Sequence, residues 1–446
     1  MTYQQALDYL ASLNTFGMRL GLSRILRLTE ILGNPQEKYR TIHVTGTNGK
    51  GSVSAMTAAA LTASGLKTGL FTSPHLSKYN ERMRVDGADI SDEDFARMLA
   101  RTRDAAEQMI AEGGESPTQF EVLTAAAFLY FAEQKVDYAV IEVGLGGLLD
   151  STNIITPVVS VITNVTLEHA DFCGGTLEGV AEHKAGIIKE KVPVVTAAQG
   201  TPLSVIRRTA KEKGAPIYVM GEEFAAKRLS GTSEKQEISL DVPRLSISDW
   251  RYELSLAAPY QLENSAVAAT LLAVLAQKDA QVSMEAAKKV FAKTVWPGRF
   301  ERMDIGGQKI IVDGAHNPAG AKALREALDS IFPTEPRTFL LGILHDKAVE
   351  EMLDILLRPE DAVIVTQPDS ERAEMPEQLL RSVRKRVRIA EAEPDRGSAL
   401  ARAFAAAKGK ILCCTGSLYL IGDLRERIVA WKEEAWDAGI GNAEHH

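Results

Sequence analysis

The run Thr45-Gly46-Thr47-Asn48-Gly49-Lys50-Gly51-Ser52 follows the apolar stretch Ile42-His43-Val44 and leads directly into a helical pattern. Glycines there let successive backbone N–H groups converge on an anion, the helix start adds its partial positive charge, and Lys50 supplies a point cation. Thr47, Asn48, Gly49, Lys50, Gly51 and Ser52 are therefore candidates for cradling nucleotide phosphates, with the Ser52 hydroxyl placed for a magnesium ion. The spacing is tighter than in the common phosphate loop, because only Thr47 and Asn48 separate Gly46 from Gly49. A Gly-rich turn with no ligand is the plain alternative. The order strand, loop, lysine, helix favours a nucleotide.

A second group of residues offers oxygen and nitrogen ligands. Glu142 closes an apolar stretch (138–143) just before a Gly-rich turn. A carboxylate in that position either caps the turn or binds something, since a buried unpaired charge is costly. Ser73 follows the stretch 68–71, and His169 lies beyond 158–162. In open α/β sheets ligands collect beyond the carboxyl ends of strands, so Ser73, Glu142 and His169 are expected in one region. Lys184, in His183-Lys184-Ala185-Gly186, reads on its own as a solvated helix lysine. No serine or cysteine nucleophile signature is present.

The elements that must carry these residues follow from periodicity. Short β-branched runs at 41–44, 68–71, 138–143, 158–162, 192–196 and 217–220 alternate with helical patterns at 53–64, 120–134 and 177–188. That alternation predicts a mainly parallel, phosphate-loop-type sheet with helices on both faces. Residues 237–242 and 251–256 instead predict a small antiparallel sheet. Helical patterns at 264–276 and 284–293 precede Trp296-Pro297-Gly298-Arg299, where the Pro-Gly pair breaks the chain. The alternation restarts with strands at 309–313, 338–344, 362–366 and 410–414, and helices at 319–330, 349–357, 378–385 and 399–408. The expectation is two domains, 1–296 and 297–446, the second a smaller Rossmann-like α/β unit.

Composition narrows the function. With 446 residues, 45% hydrophobic and 25% charged, the chain has the balance of a globular protein. A net charge of −8 argues against nucleic-acid binding through a basic face. Three cysteines, two of them adjacent, form no disulfide framework and suit a reducing compartment. The N-terminus lacks signal-peptide features and no run is long enough to span a membrane, so a cytoplasmic location and a monomer are expected.

The loop Thr45–Ser52 resembles that of the Mur ligase superfamily, and in this shortened form that of folylpolyglutamate and dihydrofolate synthases. Further segments resemble the same family in order along nearly the whole chain. They are Thr72-Ser73-Pro74-His75-Leu76, Glu81-Arg82, Phe120-Glu121, Glu142-Val143-Gly144-Leu145-Gly146-Gly147, Asp150-Ser151-Thr152-Asn153, His169, His183-Lys184-Ala185-Gly186, Pro297-Gly298-Arg299, Asp313-Gly314-Ala315-His316-Asn317-Pro318 and Gly416-Ser417-Leu418-Tyr419.

The resemblance implies an ATP-dependent acid–amino-acid ligase working through an acyl phosphate. Its substrates would be ATP, L-glutamate and a reduced folate or dihydropteroate. Ser73, Glu142 and His169 would hold magnesium, two ions in all, with manganese able to substitute and potassium as an accessory ion. Lys184 would be carbamylated by carbon dioxide, turning a cation into a metal-binding anion. Asn264 would face the adenine, Arg299 the phosphates and Asp313 the ribose region, with His316 close by and counted, like Lys50 and Lys184, among the catalytic groups. Ser23, Arg24, Phe120, Glu121, Asp150 and Ser151 would lie in the folate-contacting segments. Leu148 departs from the family, which often has a basic residue there. Two alternatives stay open: a cell-wall ligase of the same superfamily, and an ATP-binding module without catalysis.

Overall fold

The computed structural model describes residues 1–13, 19–167 and 173–437, with side chains to residue 433. The chain divides into two compact units. The first comprises Met1–Ser230, Gln236–Ser255 and Gln261–Thr294; the second begins at Val295 and adds the short segments Gly231–Lys235 and Leu256–Tyr260.

The first unit is built on eight strands: β1 (Arg40–Thr45), β2 (Thr68–Phe71), β3 (Met83–Val85), β4 (Ala88–Asp89), β5 (Tyr138–Glu142), β6 (Val159–Ile162), β7 (Val194–Thr196) and β8 (Ile217–Val219). They lie in the order β4-β3-β2-β5-β1-β6-β7-β8. From β2 to β8 neighbours run parallel, while β3 and β4 form an antiparallel edge. Strands β2, β5, β6 and β7 are buried at every residue, which only a sheet covered on both faces allows.

Helices Asp92–Ala111 and Gln119–Glu133 pack with Phe71, Phe95, Phe128 and Phe131 into one core. Helices Leu177–Ala185 and Gly200–Glu212 contribute to a second core with Val194, Val205 and Ile206. Each fully buried Phe, Leu or Ile contributes about 1.5–3 kcal/mol.

This winding fixes the site. The chain passes from β1 to β2 on one side and later returns to β6 on the other, so winding reverses at β1. The loops after β1, β5 and β6 therefore meet outside the carboxyl ends of three adjacent strands, where open α/β sheets bind ligands. Val44 stands in register with both Glu142 and Val161.

A second sheet has β9 (Ala225–Gly231), β10 (Gln236–Val242) and β11 (Ile247–Leu254), with β10 and β11 antiparallel. The second unit carries β12 (Glu301–Ile305), β13 (Gln308–Val312), β14 (Arg337–Leu341), β15 (Ala362–Val365), β16 (Ile389–Ala392) and β17 (Ile411–Thr415), in the order β12-β13-β17-β14-β15-β16. Only the β12–β13 pair is antiparallel. The expected class holds: a mainly parallel sheet with helices, a small antiparallel sheet, and a second, Rossmann-like α/β unit. Among the described residues no helix is long and apolar enough to cross a membrane.

Candidate active site

The turn from β1 into helix Lys50–Ala63 depends on two glycines. Gly46 has φ +151°, and a Cβ there would lie 1.8 Å from Thr163 Oγ1. Gly49 has φ +87°, and its Cβ would lie 2.2 Å from Asn264 Oδ1. Neither position admits a side chain without moving its neighbour. Between them, the amides of Thr47 and Asn48 point at the loop after β6. Thr47 N donates to the Asn164 carbonyl at 2.8 Å and Asn48 N donates to Asn164 Oδ1 at 2.9 Å. Thr163 Oγ1 returns a bond to the Asn48 carbonyl at 2.6 Å.

The first intrahelical bond runs from Val53 N to Gly49 O at 2.9 Å, so residues 49–52 have no i−4 partner for their N–H groups. Four convergent donors at a helix start suit phosphate oxygens. Lys50 Nζ folds back on the same loop, donating to the carbonyls of Gly46 and Thr47 at 3.1 Å each. Behind the loop, Ser52 is buried and accepts from Gln261 Nε2 at 3.3 Å, and Asn264 Nδ2 donates to Gln261 Oε1 at 2.9 Å. Helix Gln261–Ala276 begins before Asn264, so Asn264 is not its cap but a side chain turned toward Gly49.

The structure joins two of the expected metal ligands. Ser73 N donates to Glu142 Oε2 at 3.1 Å, and Glu142 is buried at the end of β5. Its loop is held from behind: the Glu81 carboxylate accepts from the amides of Leu76, Ser77 and Lys78 at 2.7–2.8 Å. Arg82 Nε donates to His75 Nδ1 at 2.9 Å. Burial and the nearby Arg82 push the His75 imidazole down to about 3. His169 lies outside the described residues.

Among the described residues no three His, Cys, Asp or Glu side chains form a metal cluster. A carboxylate and the hydroxyls of Ser73 and Ser52 nevertheless fit magnesium, which takes oxygen ligands and commonly one or two carboxylates plus substrate phosphates.

Lys184 is not the solvated helix lysine that its sequence context suggests. It is buried, and its Nζ donates to the Gly46 carbonyl at 2.9 Å, the same oxygen that Lys50 uses. Two lysines from different elements thus meet at the phosphate loop.

The residues expected at the folate end are engaged with one another. Arg24 is buried and donates to Glu121 Oε2 at 3.1 Å, to Glu115 Oε2 at 3.2 Å and to the Arg19 carbonyl at 2.8 Å. Glu121 closes a capping box with Thr118 at the start of helix Gln119–Glu133. Asp150 caps the turn Ser151–Ile154, its two oxygens accepting from Thr152 and from Leu145 N. Burial raises the Asp150 carboxyl above its ordinary range. Ser151 Oγ lies 3.3 Å from Thr124 Oγ1. Phe120 packs 6.0 Å from Phe71, and a Cβ on Gly144 would meet its ring at 2.5 Å. Ser23 opens helix Ser23–Ile31 and is exposed. Leu148 covers Gly186 and stays 43% exposed, leaving an apolar spot at the mouth of the Gly-rich loop.

In the second unit, Asp313 accepts from Phe300 N at 2.7 Å, Ala315 N at 2.9 Å and Tyr260 OH at 3.1 Å. Burial raises its carboxyl, against the pull of Arg299. Arg299 is half-buried beside Gly314, where an added Cβ would touch its NH1 at 2.7 Å. His316 Nδ1 lies 2.7 Å from the Gly314 carbonyl. That contact requires the hydrogen on Nδ1 and makes Nε2 the basic nitrogen of the neutral ring.

Sequence reasoning missed Thr163, Asn164 and Gln261. Thr163 and Asn164 come directly after a strand, so the strand-end rule that singled out Glu142 would have found them.

Two family models match. The description "Mur ligase middle domain" covers residues 44–272, and "Mur ligase, glutamate ligase domain" covers 298–418. Over 431 residues the chain is 34% identical to a dihydrofolate synthase/folylpolyglutamate synthase of Bacillus subtilis, covering 96% of this chain and 99% of the relative. The crystal structure of a folylpolyglutamate synthase from Thermotoga maritima superposes with a TM-score of 0.84 at 36% identity, over 98% and 99% of the two chains. The Mycobacterium tuberculosis folylpolyglutamate synthase complexed with ADP gives 0.86 at 32%, over 96% and 99%. Both family models cover the phosphate loop or the Asp313–His316 segment, and the chain belongs to the Mur ligase family, in its folylpolyglutamate and dihydrofolate synthase branch.

Proposed function

We propose that this chain is an ATP- and magnesium-dependent ligase that adds L-glutamate to the terminal carboxylate of a reduced folate. One observation carries the reading: the helix start at residues 49–52 has N–H groups without intrahelical partners among the described residues, and Lys50 and Lys184 both reach the Gly46 carbonyl of the same loop, on the strand in register with Glu142. The relatives add the substrate class through their names, one of them bound to ADP.

In this reading the amides of residues 49–52 and Lys50 hold the terminal phosphates of ATP. A substrate carboxylate oxygen attacks the γ-phosphorus as the bond to ADP breaks, giving an acyl phosphate. Lys50 and Arg299 offset the charge that spreads over the transferring oxygens. Glu142, Ser73, His169 and Ser52 would hold magnesium, which would supply neutralisation of phosphate charge. The glutamate amine then attacks the acyl carbon, phosphate leaves, and the amine proton passes to a base such as His316 Nε2.

Lys184 is proposed to work as a carbamate: its amine adds to carbon dioxide, forming an N–C bond and releasing a proton. The carbamate nitrogen keeps one hydrogen, so the bond to Gly46 survives the change.

Asn264, Asp313, Thr47 and Asn48 serve the nucleotide, and Ser23, Arg24, Phe120, Glu121, Asp150 and Ser151 shape the folate segments. Residues 1–296 would carry these functions apart from that of Asp313, which lies in 297–446, the glutamate-ligase part, in line with the second family match. A reducing, cytoplasmic compartment suits three buried free cysteines, and a monomer is the proposed state.

A second reading, addition of the first glutamate to dihydropteroate by the same site, is favoured by the double name of the Bacillus relative. Purified chain supplied with ATP, magnesium and glutamate should form ADP with tetrahydrofolate. ADP formation with dihydropteroate as well would establish both activities. No ADP with either acceptor would remove the proposal.

A further inference from the structure

Helices Lys50–Ala63 and Gln261–Ala276 pack together behind the phosphate loop, and three polar side chains join their starts. Ser52 lies in the first turn of one helix, and Gln261 and Asn264 lie one turn apart at the start of the other. All three are buried, Gln261 completely. Asn264 Nδ2 donates to Gln261 Oε1 at 2.9 Å, and Gln261 Nε2 donates to Ser52 Oγ at 3.3 Å. The line has a direction. Asn264 takes up the Gln261 oxygen, so the NH2 group of Gln261 is what Ser52 meets. With that amide turned over, two NH2 groups would face each other away from water, where an unpartnered donor is costly. Asn264 is itself placed by the loop, its Oδ1 lying 2.2 Å from where a Cβ on Gly49 would stand.

A serine in a first helical turn has a competing use for its hydroxyl, a bond back to a carbonyl three or four residues earlier. For Ser52 those carbonyls belong to Gly49 and Asn48, which already accept from Val53 N and Thr163 Oγ1. The Gln261 bond ties the oxygen to the neighbouring helix instead. A hydroxyl accepts two bonds and donates one, so Ser52 Oγ keeps a lone pair for a cation after Gln261 has taken the other.

We propose that Gln261 is a positioning residue which, oriented by Asn264, holds the Ser52 oxygen where a nucleotide-bound magnesium ion meets it. The inference rests on the reading of this loop as the ATP site and of Ser52 as a magnesium ligand. It assigns Gln261 no contact with ion or nucleotide. Partners standing one hydrogen bond behind a metal ligand typically account for ~10–100-fold in metal affinity, so the loss is measurable.

The test measures ADP binding to the full chain by calorimetry, in EDTA and across a range of magnesium concentrations. Gln261→Met, which keeps the length of the side chain and removes its amide, is compared with Ser52→Ala and with the double variant. The magnesium concentration that half-saturates ADP binding should rise ~10–100-fold in Gln261→Met, while ADP affinity in EDTA stays as in the unaltered chain. Because Gln261 acts through Ser52, adding Gln261→Met to Ser52→Ala should bring no further loss. An unchanged magnesium requirement, equal losses with and without magnesium, or losses that multiply in the double variant would each overturn the proposal. If Gln261→Met does not fold, a crystal structure of the unaltered chain with ADP and magnesium decides. Gln261 Nε2 within hydrogen-bond distance of a Ser52 Oγ that touches the ion supports the proposal, and an amide turned away overturns it. An unaltered chain that binds no ADP would remove the ATP site and this inference together. ADP binding that is tight but indifferent to magnesium would leave the ATP site and remove only the inference.

Discussion

Two polar regions of the first unit use their side chains in opposite ways. Around the phosphate loop, donors are left over: the helix start at residues 49–52 has N–H groups without intrahelical partners, and two lysines reach the same carbonyl. Around Arg24, Glu121 and Asp150, hydrogen-bonding capacity is spent within the protein. Arg24 has three acceptors, Asp150 fills both oxygens, and Glu121 Oε2 serves Thr118 and Arg24. In this region Glu121 Oε1 and Asn153 Oδ1 are buried without a partner among the described residues. Motif residues of one family thus divide into those that keep capacity for a ligand and those that build the wall beside it.

Removing the most exposed of these cations should have the largest effect. Lys50→Ala is expected to lower kcat ~100–1,000-fold, about 3–4 kcal/mol, since a charge contact made at the transition state is lost. Its unfolding midpoint should stay put, because among the described residues Lys50 bonds to just two loop carbonyls. Near-normal turnover would erase the distinction between the regions. Arg24→Met should show the opposite pattern. It leaves the buried Glu121 carboxylate without its cation, at a cost of ~3 kcal/mol in urea unfolding, and lowers turnover less than Lys50→Ala does. Unchanged stability with a raised folate KM would instead make Arg24 a ligand contact.

His43 links the two regions, lying on β1 with Nε2 2.9 Å from Thr152 Oγ1 next to Asp150. It is fully buried, and burial together with Lys189 pushes its imidazole down to about 3 from the usual 6.5. The folded value lies below the unfolded one, so the unfolded chain takes up the proton first. Stability is full above pH 6.5 and drains as pH falls toward 3. Between pH 7 and 5 the protein should lose ~2 kcal/mol more than His43→Gln, read by denaturant unfolding at each pH. Parallel curves would mean that His43 is not held neutral. The smallest expected change is Thr118→Ala, which removes one helix cap and should cost ~1 kcal/mol without altering ATP kinetics.

The parallel sheets were legible because their strands contain near-continuous apolar runs, as in 138–141 and 362–365. The edge strands β3, β4 and β16 were not, since they are short, partly exposed and carry no buried pattern. Helix Asp92–Ala111 went unremarked although Ser91 caps it and three acids fill its first turn. At the candidate site, Lys50, Ser52, Ser73 and Glu142 were expected from loop and strand-end logic, and Ser73 N donates to Glu142 Oε2. The burial of Lys184 was not readable, because helix Leu177–Ala185 has almost no amphipathic contrast to mark an inner face.

The claim that a carboxylate is activated as an acyl phosphate has one direct test. A reduced folate labelled with heavy oxygen in its terminal carboxylate is incubated with the chain, ATP, magnesium and glutamate, and the released phosphate is weighed by mass spectrometry. Attack of the carboxylate on the γ-phosphorus carries one substrate oxygen into each phosphate, so label should appear there in step with glutamate added. Glutamate addition accompanied by unlabelled phosphate would contradict it.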